Sequence, residues 1–413
     1  MKFEKYYISA AIKQNLAQLG FKRPTDIQFR SIPSIMKGED VLAIAQTGTG
    51  KTAAFAIPLI DRIHRGKTSK RVFGIKCIVM VPTRELAMQI GEVFTSIARH
   101  TKVKTFALIG GVEQDAQIKK LQDGIDIMIA TPGRMFDLIH QGHINLDRIE
   151  TLVLDEADHM LDLGFIEDIK FVKRMLTGKH QTLFFSATIN PEIKKLAFSQ
   201  VKSTAIRIQI SPEDPVAANV SHAVAFVEMD DKRFFLERFI KENPGSKIIV
   251  FVRTRVRAER VAKAMERVQI RSVTIHGEKD QSERSDVMKR FKEGDCHILI
   301  ATDVSARGID IPDVNFVINY DLPEKAENYV HRVGRTGRGV NKGIALSFCS
   351  AEEKEILAEI EQFLNKNIEV IKIAQKDYER TLDISNKKTG VQALIEEHEA
   401  WLKTKRKKKS TKK

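Results

Sequence analysis

Ala45, Gln46, Thr47, Gly48, Thr49, Gly50, Lys51 and Thr52 follow an apolar run and open a helical pattern. That is the context of a loop wrapped around phosphates. Its glycines let backbone N–H groups approach an anion, Lys51 brings a point charge to the outer phosphates, and the Thr52 hydroxyl can bind Mg²⁺. The general pattern has Gly where this chain has Ala45, and a glycine-rich turn between strand and helix can also be purely structural. The other half of such a site is a carboxylate at the end of a neighbouring strand, and Thr151 to Leu154 run directly into Asp155, Glu156, Ala157 and Asp158. At the carboxyl edge of a parallel sheet, Asp155 holds Mg²⁺ partly through water and Glu156 orients and deprotonates an attacking water. Adjacent acids are also what a helix N-terminus favours. The strand before them and the lysine loop upstream point to nucleotide chemistry.

The elements that must position these groups are legible as alternation. Short β-branched runs at 41–45, 75–81, 104–109, 126–130, 151–154 and 182–185 read as buried strands between helical patterns, which means parallel βαβ units. A polar, proline-containing stretch at 209–220 reads as a linker. A second series follows at 223–227, 247–252, 272–275, 297–301, 316–319 and 344–348. The expected fold is therefore α/β, two tandem parallel-sheet domains over 1–208 and 221–368, with a C-terminal extension over 369–413. Before the first strand, Ile8, Ile12, Leu16 and Leu19 recur at helical spacing with Gly20 as a C-cap. Strand signals stop near residue 368; 391–402 could form a helix, and the rest of the extension reads as flexible.

Composition narrows the setting. The 413 residues are 42% hydrophobic and 30% charged, enough to bury more than one core. Apolar runs are far shorter than the ~18 to 20 residues a bilayer requires, and no apolar signal segment opens the chain, so a cytoplasmic protein with no membrane partner is expected. The three cysteines, Cys77, Cys296 and Cys349, are widely separated, which supports neither a disulfide framework nor a zinc site. Net charge is +14, and Lys403 to Lys413 hold eight Lys or Arg without an acid. Such a tail either attracts a polyanion or simply keeps the chain soluble.

Arg335 and Arg338 lie three apart, near Gly334 and Gly337, so on a helix they can address one anion together. In isolation they also fit a basic surface turn. Further motifs appear in order: Gly20, Phe21, Pro24, Thr25, Ile27, Gln28; Pro82, Thr83, Arg84, Glu85, Leu86, Ala87, Gln89; Gly110, Gly111; Thr131, Pro132, Gly133, Arg134; Ser186, Ala187, Thr188. The second series adds Phe251 with Thr254, Gln281 with Arg284, then Thr302, Asp303, Arg307, Gly308, Asp310, and His331, Arg332, Gly334, Arg335, Gly337, Arg338. Together with Asp155 to Asp158, this ordered set resembles the DEAD-box RNA helicases of helicase superfamily 2, compact bacterial type, over roughly residues 3 to 365.

The resemblance implies two RecA-like domains and an RNA-stimulated ATPase. It assigns Gln28 to the adenine edge and Phe21 to stacking on the ring, where local sequence alone shows an ordinary helix residue and a core aromatic. It makes Arg335 and Arg338 arginine fingers to the terminal phosphate and Asp310 the ribose contact. Asp158, Ser186, Thr188 and His331 become coupling residues, although Ser186 to Thr188 also read as a plain strand end. For RNA it carries over Thr83, Arg84, Gly110, Gly111, Thr131 and Arg134, then Arg253, Thr254, Arg284 and Thr302. These are hydroxyls, small residues and guanidiniums suited to phosphate and sugar rather than base identity. Thr131-Pro132-Gly133 is otherwise a helix start with Pro at its first position.

Lys51, Thr52, Asp155 and Glu156 lie on one domain and the two arginines on the other, so ATP and RNA are expected to favour one closed arrangement. Within the resemblance, closure separates short duplexes locally and non-processively. A monomer is expected, with ribosomal or RNA-decay proteins as partner classes. Two rivals use the same sheets: a DNA helicase or translocase, and an ATP-gated RNA clamp.

Overall fold

The computed structural model describes residues 2–46, 48–67, 74–210, 216, 219–303, 311, 314–337 and 342–386. These divide into two compact units, one carrying the strands up to Ile210 and the other those from Val220 on. The first holds β1 (Val41–Ala45), β2 (Cys77–Met80), β3 (Thr105–Leu108), β4 (Ile127–Ala130), β5 (Thr151–Leu154), β6 (Gln181–Ser186) and β7 (Ile206–Ile210). The second holds β8 (Val220–Phe226), β9 (Ile248–Phe251), β10 (Val273–Ile275), β11 (Ile298–Ala301), β12 (Phe316–Asn319), β13 (Gly343–Cys349) and β14 (Glu369–Ile371).

Each unit is one parallel sheet, ordered β3-β4-β2-β5-β6-β1-β7 and β10-β11-β9-β12-β13-β8-β14. Renumbered from its own first strand, the second order is the same as the first, so one topology is used twice. Central strands are buried on both faces because helices cover each side, as parallel crossovers require. In β1, Val41, Ala43 and Ala45 enter one apolar core and Leu42 and Ile44 the other. β4 divides likewise, Ile127 and Ile129 on one side and Met128 and Ala130 on the other. Asp40 locks the amino end of β1 by accepting the Thr182 N–H at 3.0 Å and the Lys202 N–H at 2.9 Å.

All twelve expected strands are present, 41–45, 151–154 and 316–319 with the same ends. Two seventh strands are additional. β7 pairs with β1 through Ile210, past residue 208, and β14 pairs with β8 past residue 368. The extension expected to be flexible also contributes the helix Gln375–Asn386, whose Tyr378 hydroxyl donates to Asp231 Oδ2 at 2.8 Å and whose Tyr378 ring lies tilted against Phe235, centroids 4.9 Å apart. The expected helix over 391–402 and the basic tail lie outside the described residues. Among the described residues, no helix is long and apolar enough to cross a membrane. Cys77, Cys296 and Cys349 are free and buried, in keeping with the absence of paired spacing.

Candidate nucleotide and nucleic-acid site

The carboxyl edge of the first sheet gathers the expected residues into two neighbouring groups. One sits on β1, β5 and β6. β1 delivers Ala45 and Gln46, and the helix Lys51–Gly66 opens at Lys51 and Thr52. Gly48 and Gly50 have φ of +81° and +91°, a left-handed backbone that turns the chain tightly enough to aim N–H groups inward. Thr49 Oγ1 donates to Gln46 O at 2.7 Å and the buried Lys51 Nζ donates to Ala45 O at 2.7 Å, closing the loop on itself. Thr47 lies outside the described residues.

Gln28 reaches this loop from the helix Asp26–Met36. Its Nε2 donates to Gly50 O at 3.1 Å and its Oε1 accepts the Thr25 N–H at 3.1 Å. Gly50 is required by its φ of +91°, and a Cβ there, 2.5 Å from that Nε2, would push the Gln28 amide aside. Gln28 thus straps the loop, a role sequence reasoning did not foresee. Phe21 is partly buried and meets Phe3 edge-on at 6.1 Å.

β5 ends in the acids. Asp155, Glu156 and Asp158 are all buried. Asp155 Oδ1 accepts the Glu156 N–H at 3.0 Å. Burial pushes the Asp155 carboxyl up to about 7, opposed by the nearby Lys51 charge and reinforced by Glu156 and Asp158. Glu156 has φ +51°, an uncommon conformation for a side-chain-bearing residue that costs about 1 kcal/mol or more and is typical of functional sites. Asp158 Oδ2 accepts the Ala187 N–H at 3.1 Å, the Thr188 N–H at 2.9 Å and the Thr188 hydroxyl at 3.0 Å, while Ser186 Oγ donates to Thr188 O at 2.8 Å. The acid segment and the end of β6 are therefore one bonded assembly.

These residues suit a divalent cation. Asp155 is raised first by burial and then by Glu156 and Asp158, with Lys51 opposing, so a cation placed beside it would favour the charged carboxylate. Among the described residues no three His, Cys, Asp or Glu side chains form a metal cluster, so a Mg²⁺ beside Thr52 and Asp155 would complete its shell with water and phosphate oxygens.

The second group follows β2, β3 and β4. Thr83 caps the helix Arg84–Ala98 by accepting the Leu86 N–H at 3.3 Å. The Arg84 guanidinium lies against Gly110 and Gly111, whose lack of side chains admits it, and Gly111 has φ +74°. Thr131 precedes the helix Pro132–His140, with Pro at its first position, and Arg134 Nη2 donates to Val112 O at 3.1 Å. The six residues of the first unit that the resemblance assigns to RNA thus share one edge with the nucleotide group; the other four belong to the second unit.

In the second unit, Arg253 and Thr254 follow β9, Thr302 follows β11, and Arg284 lies on the helix Gln281–Glu293. Thr254 Oγ1 accepts the Arg257 N–H at 3.2 Å. His331 and Arg335 are buried, and Arg335 Nε donates to His331 O at 3.1 Å. Asp310 and Arg338 lie outside the described residues. Arg332, named by the motif but given no role, is almost fully buried. It pairs with Asp303 by Nε at 2.5 Å and Nη2 at 2.8 Å and donates to Asp321 O at 2.6 Å, tying the strand ends to the helix Ala326–Val333. Its neighbours Asp303 and Asp321 are 29 and 11 residues distant, beyond any local pattern.

The geometry can be set beside known proteins. Family models described as DEAD/DEAH box helicase and helicase conserved C-terminal domain match residues 25–196 and 231–340. The chain is 39% identical over 373 residues to the ATP-dependent RNA helicase RhlB of Shewanella oneidensis, covering 89% of this chain and 85% of that protein. It is likewise 39% identical over 380 residues to the ATP-dependent RNA helicase DeaD of Buchnera aphidicola, covering 92% of this chain but 62% of that longer protein. The structure of S. cerevisiae Dbp5 bound to RNA and ADP BeF3 superposes with a TM-score of 0.82 at 29% identity, covering 94% of this chain and 99% of that one. Motif order, two sheets of one topology and these matches converge: the chain belongs to the DEAD-box helicases.

Proposed function

We propose that the protein is an ATP-dependent RNA helicase in which RNA-stimulated ATP hydrolysis separates short duplexes locally or remodels RNA–protein complexes. The observation that carries this reading is the shared carboxyl edge. Lys51, Asp155 and Glu156 stand at the same sheet edge as Thr83, Arg84, Gly110, Gly111, Thr131 and Arg134, so in this reading fuel and strand address one sheet. RhlB and DeaD carry the name RNA helicase, and Dbp5 was captured with RNA and a nucleotide analogue, which favours RNA over DNA.

In this reading Phe21 and Gln28 take the base, residues 45–52 wrap the phosphates, and Asp310 takes the ribose. Lys51 neutralises charge on the outer phosphates. Thr52 and Asp155 would hold Mg²⁺, which when bound screens the phosphate charge against the attacking oxygen. Glu156, held in an unusual backbone conformation beside Asp155, orients a water and takes its proton. Arg335 and Arg338 supply guanidiniums to the terminal phosphate when the two units close, so hydrolysis waits for closure. Arg253, Thr254, Arg284 and Thr302 complete the RNA track, and Asp158 with Ser186, Thr188 and His331 passes the state of the phosphate to it. Backbone-directed, salt-sensitive RNA binding follows from these contacts, and the reading takes the protein to be a cytoplasmic monomer.

The test is ATP turnover stimulated by RNA against DNA of equal length, with release of a labelled short RNA strand. RNA-selective stimulation with release supports the reading. Equal stimulation by DNA favours a DNA translocase, and stimulation without release favours an RNA clamp.

A further inference from the structure

The second unit buries a charged cluster to which the reading above gives no task. Lys232, first residue of the helix Lys232–Glu242, is fully buried; its ammonium pairs with Glu353 and lies 3.8 Å from Asp321 Oδ1. Burial pushes the amine below its ordinary value while Glu353 and Asp321 hold it up. Glu353 is engaged on both oxygens. Oε1 accepts the Leu322 N–H at 3.1 Å and Arg253 Nη2 at 3.2 Å, and Oε2 accepts the Ser350 N–H at 3.1 Å beside the Lys232 ammonium. Asp321, just past β12, accepts the Arg253 N–H on Oδ2 at 3.0 Å and pairs through Oδ1 with Arg257 Nε at 2.9 Å.

Such a cluster is a poor source of stability. Removing these charges from water offsets most of their mutual attraction, and apolar residues of equal volume commonly replace a buried pair without loss. Its distinguishing feature is where the bonds end. Glu353 takes the guanidinium of Arg253 and Asp321 takes its backbone N–H, so one residue is fixed at two points. The same Asp321 holds Arg257, whose own N–H is capped by Thr254. The turn between β9 and the helix Arg255–Arg267 is thereby gripped on both sides of Thr254. The Arg253 side chain stays 34% exposed; Nη2 bonds Glu353 and Nε lies 3.9 Å from Glu324 Oε1, which leaves the Nη1 end of the guanidinium to donate to an anion.

We propose that Lys232, Glu353 and Asp321 are positioning residues that hold Arg253 and Thr254 in the orientation an RNA phosphodiester requires. Lys232 fixes the two carboxylates, and the carboxylates fix the turn. The proposal rests on the reading of Arg253 and Thr254 as RNA contacts, and its test separates the two.

Lys232→Met combined with Glu353→Gln removes both charges at nearly constant volume and keeps one acceptor oxygen, enough for either the Leu322 or the Ser350 amide but not both. In the full-length protein, the single-stranded RNA concentration giving half-maximal ATPase stimulation should rise about fivefold, the scale of one misplaced charged hydrogen bond. The kcat at saturating RNA and the nucleotide affinity without RNA should stay at wild-type values. Arg253→Ala should raise the same RNA concentration, and in that background the paired substitution should add less than about twofold, since both act through one contact. An unchanged RNA requirement for the pair, with a raised one for Arg253→Ala, overturns the proposal and leaves the RNA contact standing. An Arg253→Ala protein with wild-type RNA dependence overturns the contact itself and the proposal with it. A matching loss of kcat and nucleotide affinity would mark general damage and also count against it. If the pair fails to fold, Arg257→Gln releases Asp321 alone from a partly exposed position. It should raise the RNA requirement about twofold, and no change there refutes the positioning role.

Discussion

Asp158 and Thr188 are joined twice through one oxygen: Asp158 Oδ2 accepts both the Thr188 N–H, at 2.9 Å, and the Thr188 hydroxyl, at 3.0 Å. This carboxylate therefore couples the acidic segment after β5 to the turn after β6. Thr188→Val removes the hydroxyl bond and keeps the amide bond at nearly equal volume. It should cost about 1 to 2 kcal/mol of stability in thermal or urea unfolding. If the pair passes the nucleotide state to RNA, duplex release should fall more than RNA-stimulated ATP turnover does.

Lys51→Ala should abolish ATP turnover, because nothing else among the described residues of the phosphate loop carries a positive charge. Glu156→Gln should leave nucleotide binding largely intact while stopping hydrolysis, since it removes a proton acceptor and keeps size and polarity. Equilibrium binding of a labelled nucleotide beside a steady-state phosphate assay distinguishes the two outcomes.

The raised carboxyl of Asp155 has a consequence for stability against pH. Its ordinary value is 3.8 and the folded value is about 7, so the folded state binds the extra proton between those limits. Stability from this group is full below about pH 4 and is lost as pH rises through 7. Nucleotide-free protein without divalent cation should thus gain stability from Asp155→Asn at pH 8, by a few kcal/mol at most, and gain little at pH 4. Thermal unfolding at both pH values checks this, and Mg²⁺ with nucleotide should narrow the difference at pH 8.

Gly50→Ala should fail chiefly through its φ of +91°, while its Cβ, 2.5 Å from Gln28 Nε2, would displace that amide. Gln28→Ala removes the strap on Gly50 O without either clash. It should weaken ATP binding about tenfold or less, as one buried hydrogen bond allows, and restoring volume alone with Gln28→Leu should not recover it. Nucleotide titration of the three proteins orders them.

Much of this architecture was legible because a parallel sheet with both faces covered writes each strand as a short unbroken apolar run. Thr151–Leu154 and Phe316–Asn319 are such runs and were read with the same ends. The seventh strand of each sheet was not. β7 is an edge strand with Ile206 and Arg207 exposed, and β14 is three residues with all three exposed, so neither makes a buried run. Both occupy the same edge position of the repeated topology, which only the strand order makes visible. The nucleotide loop and the acids were readable because each is contiguous in the chain. The cluster around Arg253 was not, since Lys232 and Glu353 stand 121 residues apart and meet only through folding. The left-handed Glu156 likewise has no sequence signature, because any glutamate could occupy it if the surrounding bonds compensate.

In the proposed function, RNA and ATP stabilise one closed state through Arg335 on the terminal phosphate. The most direct test is the affinity of a non-hydrolysable ATP analogue measured with and without saturating single-stranded RNA, in wild type and in Arg335→Ala. The account requires RNA to tighten analogue binding by the same factor that the analogue tightens RNA, and this factor to collapse in Arg335→Ala. Analogue affinity indifferent to RNA, or a coupling factor that survives the loss of Arg335, would contradict it.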